Sequence, residues 1–135
     1  MKVNLNRELE IITIIPELKE LVLAIGSNDF LDHMNSNEHE SISSYKEVII
    51  DIRLTNFLSQ VGVRWLYQLV LDLRSQGFNP YLVLLESVRK IMINTGMEKI
   101  VDMHTTFNFE RIEADRVIDL EKDLLWDLST IEDKL

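Results

Sequence analysis

Residues 48–77 constrain this chain more than any other stretch. They open on VIIDIR, a short apolar run rich in β-branched residues, which predicts a buried strand over 48–53. A polar corner follows at 54–60. Then Val61, Trp65, Leu66, Leu69, Val70 and Leu73 recur at helical spacing, so one wide apolar stripe faces a core. Gly77 stands just past the last periodic residue, where a left-handed cap ends a helix. Strand, corner and helix in this order belong to α/β proteins, which build their sites where a strand ends and a helix begins.

At 135 residues the chain fits a single domain with one core, spanning 1–135. No apolar run is long enough to cross a membrane, and the first residues mix Lys2 and Arg7 with Glu8 and Glu10 rather than leading into a clean apolar stretch. The expectation is a cytoplasmic protein with no direct membrane insertion. The absence of cysteine excludes disulfides, thiolate metal sites and cysteine nucleophiles. The net charge of −9, with no basic cluster denser than Arg89-Lys90, argues against a nucleic-acid partner.

Before the central unit, residues 9–15 (LEIITII) read as a strand that Pro16 ends or bends. Residues 21–25 (LVLAI) read as its antiparallel hairpin partner, stopped by Gly26. Ser27, Asn28 and Asp29 suit the start of a short helix through Phe30, Leu31 and Met34. Residues 35–46 are polar and loop-like. After the central helix, Asn79-Pro80 breaks the chain and 81–85 (YLVLL) predicts a strand parallel to 48–53 in a right-handed βαβ unit. Ser87 is placed to cap a second helix that Gly96 ends, and 99–103 predicts a short last strand. From 108 to about 133, Val117, Leu120, Leu124, Leu128 and Ile131 repeat at threes and fours, which predicts an extended C-terminal helix. The fold class is therefore α/β, a mixed β-sheet of four to five strands packed with helices.

Few residues here carry chemistry on their own. His33 and His39 lie six apart in a loop-like segment, which fixes no metal geometry, so no metal or cofactor is expected. No glycine-rich phosphate loop, nucleophile elbow or catalytic carboxylate pair is present. Gly62 stands out, because glycine in a first helical turn is unfavourable unless backbone must come close to something. Trp65 and Tyr67 could form a ligand stack, but core packing is the expected role of both. Trp126 lies off the C-terminal stripe, where it would cover a sheet edge or meet a partner, and the acidic C-terminal segment would be either an interaction surface or a lid on the core.

The order of elements, with three local patterns, resembles the STAS domain, the fold of bacterial anti-sigma-factor antagonists. The patterns are Gly26-Ser27-Asn28-Asp29, the corner Phe57-Leu58-Ser59-Gln60-Val61-Gly62, and the serine, basic helix and closing glycine of Ser87-Val88-Arg89-Lys90 with Thr95-Gly96-Met97. In switched members of that family a serine in an Asp-Ser-Ser-Gly or Asp-Ser-Thr-Gly corner accepts phosphate. Aligned on Gly62, that position is Gln60 here, and the aspartate position is Ser59. A phosphate would add about −1.5 to −2 charges at a helix N-terminus. Gln60 stays neutral.

The resemblance implies a non-enzymatic protein-interaction module held in its binding-competent form. The docking surface would comprise Asp29, Asn56, Ser59, Gln60, Val61 and Gly62, with Ser59 as a displaced candidate phosphoacceptor. The implied partner is a regulatory protein: an anti-sigma factor, a kinase-like regulator or another STAS protein, a homodimer included. The same resemblance leaves room for a STAS-type subunit of a membrane-transport complex, or for a domain that senses a nucleotide or other small molecule.

Overall fold

The computed structural model describes residues 2–16, 44–55, 58–105 and 116–119. Its centre is a mixed sheet. Strand β1 (Lys2–Asn6) and β2 (Ile11–Ile15) form an antiparallel hairpin, with Leu5 opposite Ile12 and Val3 opposite Ile14. Val3 and Leu5 are fully buried while Asn4 and Asn6 are half-buried, the alternation of a strand with one face on the core. Residues 7–10 make the turn. The Leu9 N–H donates to Asn6 Oδ1 at 2.8 Å, and Glu10 takes a left-handed φ of 57°.

Strand β3 (Glu47–Asp51) pairs parallel to β2, β4 (Tyr81–Val83) parallel to β3, and β5 (Asp102–His104) parallel to β4. Strand β6 (Arg116–Asp119) closes the other side, antiparallel to β1. The order is β5-β4-β3-β2-β1-β6, so β1 alone runs against the other five.

Helix α1 (Gln60–Ser75) joins β3 to β4, and α2 (Glu86–Ile93) with a 3₁₀ turn (Met97–Lys99) joins β4 to β5. One core cluster holds Val48, Ile50 and Leu82 from the sheet with Trp65, Leu66, Leu69 and Leu73 of α1 and Val88 and Met92 of α2. A smaller cluster of Ile11, Ile49 and Val83, with Tyr81 against it, has the opposite strand parity and marks the other face of the sheet. Helix α1 ends as its sequence requires. Gly77 takes φ 93°, its N–H donates to the Arg74 carbonyl, and the Phe78 N–H reaches back to the Leu73 carbonyl. Phe78 and Leu73 both lie in the core.

The α/β class and the strand-corner-helix unit match expectation, and several finer readings do not. The hairpin partner of β2 precedes it: two asparagines weaken the strand signal of 2–6, while the run at 21–25 lies outside the described residues. The sheet has six strands among the described residues rather than four to five. Residues 116–119, read as part of a helix over 108–133, are strand, because pairing with β1 outweighs a helical repeat that begins only with Val117. The rest of that span is outside the described residues. The last strand of the parallel run occupies 102–104, not 99–103, since residues 97–99 turn as 3₁₀ after Gly96. Ser87 does not cap α2: the N-cap is Leu85, which makes no side-chain capping bond. No described helix is long and apolar enough to cross a membrane.

Candidate functional site

The corner between β3 and α1 begins where the strand leaves the sheet. Ile52 still pairs, its N–H donating to the Val83 carbonyl at 2.8 Å. Asp51 and Arg53 share one side of the extended chain, and they close into a fork. Arg53 Nε and its own backbone N–H both donate to Asp51 Oδ1 at 3.0 Å, and Nη2 donates to Oδ2 at 2.9 Å. Asp51 is buried and Arg53 only partly so. A buried carboxylate needs such donors, and a two-pronged guanidinium supplies them with fixed geometry. The Thr55 N–H then donates to the Ile52 carbonyl at 2.9 Å, which turns the chain, and Thr55 is itself buried.

The helix start is equally defined. Ser59 has extended backbone angles, and its Oγ accepts from the Gly62 N–H at 3.1 Å. Its carbonyl accepts the first helical bond, from Val63 at 2.9 Å. This is an N-cap. The first turn of α1 contains no acidic side chain, so the helix itself places no negative charge at the positive end of its dipole.

Four of the six expected surface residues come together in this turn. Ser59, Gln60 and Val61 are exposed. Gly62 is buried, and what its backbone approaches is the chain itself: a Cβ there would stand 2.8 Å from Leu58 Cδ1. Gly62 shapes the corner from beneath and is not part of its surface. Asp29 and Asn56 lie outside the described residues, as do His33 and His39. Of the aromatic pair, Trp65 is core as expected, but Tyr67 is exposed, because a helical position two residues from a buried one points away from it.

Two features of the corner escaped sequence reasoning. One is the Asp51–Arg53 fork, whose only sequence sign is an acid and a base two apart at a strand end. The other is Leu54, which is 71% exposed, the most open large apolar side chain among the described residues. Val61, at 55%, comes next. The corner therefore shows solvent two apolar side chains beside a capping serine and a neutral amide. No group of three or more Asp, Glu or His among the described residues is placed to hold a metal ion. The chain matches no family model, no curated protein and no solved structure.

Proposed function

We propose that this chain is a non-enzymatic, STAS-like interaction module that docks a regulatory protein through the corner between β3 and α1, without the usual serine switch. The observation that carries the reading is the pair Leu54 and Val61, exposed on either side of Ser59 and Gln60. Large apolar side chains held open on a built corner are a contact surface in want of a partner. The order of hairpin, strand, corner, helix, strand, helix and short strand supports the family likeness. The position where that family carries its phosphoacceptor holds Gln60, the first residue of α1, which takes no phosphate. Ser59 is the one hydroxyl of this turn, and its Oγ is engaged as the cap acceptor.

The test is parallel capture by the wild-type chain and Gln60→Asp from the native lysate. An acid at the first helical position favours the helix dipole, so the variant keeps its fold. The expected result is one soluble regulator enriched by the wild type and lost with the added charge. Equal capture by both proteins would remove the corner from the interface. Phosphopeptide mapping completes the test, since phosphate on Ser59 in the native protein would restore a switch and overturn the unswitched reading.

A further inference from the structure

The outer side of helix α1 carries a seam of its own. Leu66, Leu69 and Leu73 are fully buried in the core. Gln60, Arg64, Tyr67 and Leu71 stand on the opposite side, all exposed, at spacings of four, three and four. That is the repeat with which one helix packs along another. Tyr67 and Leu71 leave 45% and 36% of their surface in water, and Val61, beside the first member of the seam, leaves 55%.

The seam is complementary to itself. A second copy can be laid on it end for end, about a two-fold axis that passes between Arg64 and Tyr67. Arg64 of each copy then falls opposite Tyr67 of the other, and Gln60 opposite Leu71, with Val61 alongside. A guanidinium on a tyrosine face is a favourable pair, and two-fold symmetry makes it twice. Sliding the copies by one heptad, so that Tyr67 faces Leu71, would instead set Arg64 against Arg74, and like charges would oppose. Charge also permits the approach. Two copies at −9 repel one another overall, but the seam itself contains no acid. Asp72, the next acid along α1, is half-buried and accepts from Gln68 at 2.8 Å. In the first register Asp72 comes level with Ser59 of the other copy, at the positive end of a helix whose first turn has no acid.

We propose that a second copy of this chain docks antiparallel on the seam Gln60-Arg64-Tyr67-Leu71 of helix α1, with Arg64 of each copy on Tyr67 of the other. An acidic partner would find one cation in this seam and no use for the tyrosine, whereas a second copy satisfies both. Leu71 of each copy covers Gln60 and Val61 of the other, so self-association hides the start of α1. That a dimer therefore withholds the corner from a regulatory protein rests on the corner being the docking site. The contact between copies does not.

Sedimentation velocity of the full chain over rising protein concentration should show the wild type passing from monomer to dimer. Arg64→Glu should weaken the dimer by about tenfold, the worth of two exposed cation–π pairs. Leu71→Lys should weaken it comparably, and circular dichroism should show both variants folded. The register has a separate readout, because the chain lacks cysteine. A mixture of Gln60→Cys and Leu71→Cys chains should be joined by a short bis-maleimide. Either variant alone should not, since equivalent positions then lie about 16 Å apart along the helix axis. A wild type that stays monomeric across the concentration range overturns the proposal. So does a dimer that both substitutions leave unchanged, or one in which each cysteine variant joins to itself as readily as the mixture. No regulatory protein takes part in these measurements, so this contact and corner docking fail separately.

Discussion

Two strand-to-helix junctions lie side by side at one end of the sheet, and they are built on different principles. The second is minimal. Strand β4 ends at Val83, Leu84 and Leu85 follow, and α2 begins at Glu86. Leu84 is fully buried, its N–H donates to the His104 carbonyl, and the helix starts with no side-chain cap. The first junction spends eight residues, 52–59, on the same topological task. It adds a carboxylate–guanidinium fork, a serine cap and an apolar side chain open to solvent. Two residues suffice to connect a strand to a helix here, so the additional length of the first junction is not demanded by folding. That surplus sets the first junction apart from the second.

The largest expected effect contrasts one residue type across the two junctions. Leu84→Ala empties a fully buried position and should cost about 2–5 kcal/mol. Leu54→Ala, at the other junction, should change stability by no more than about 0.5 kcal/mol. Urea unfolding of the two variants measures both. A cost at Leu54 rivalling that at Leu84 would show that its side chain packs in solution, and the contrast would collapse.

Next in size is the fork. Asp51→Ala removes the carboxylate that accepts from Arg53 Nε and Nη2 at a part-buried position, and the expected loss is about 2 kcal/mol. Full burial would make it larger, but Arg53 keeps part of its side chain in water. Arg53→Met, which removes the charge while keeping the apolar stem, should cost about as much, because Asp51 is the more buried partner. A loss under about 0.5 kcal/mol for both would reduce the fork to an ordinary surface pair.

The first junction was only half legible in the sequence, and the reason is physical. Its framework follows from local chemistry: a β-branched run over 48–52, an apolar stripe of period 3.6 and a glycine at the helix end. What the sequence hides is which polar and apolar residues between those markers turn inward. Asp51 and Thr55 are buried, while Leu54 between them is open, the reverse of what their polarity alone suggests. Backbone bonding decides this, as Thr55 donates to Ile52 and turns the chain at that point. The same limit explains β6. Val117 and Ile118 fit a helix stripe or a short strand, and only pairing across to β1, more than a hundred residues away, selects the strand.

A smaller effect separates the two serines. Ser59→Ala removes a cap acceptor from the Gly62 N–H and should cost about 1 kcal/mol. Ser87→Ala, inside α2 and exposed, should be neutral or slightly favourable, since alanine is the better helix former. Thermal melts of the pair check the ordering. Equal costs would mean that Ser59 caps nothing of consequence, and that the first junction is held by its fork alone.

The smallest net effect belongs to Gly62→Ala, where two terms oppose. Alanine gains up to about 1 kcal/mol of helix propensity over glycine. Its Cβ would meet Leu58 Cδ1 at 2.8 Å, too close to stand, though the far end of a leucine can turn away, and Ser59 Oγ lies at 3.4 Å. Leu58 is buried, so turning gives back some of its packing. The single variant should therefore lie within about 0.5 kcal/mol of the wild type. The double-mutant cycle with Leu58→Ala separates the terms. With Leu58 truncated, Gly62→Ala should stabilise by most of the propensity term, about 0.5–1 kcal/mol. If it stays neutral or destabilises in that background, then the clash is not with Leu58, and the first turn of α1 itself requires glycine. The corner would then owe its shape to the backbone at position 62 and not to the leucine laid across it.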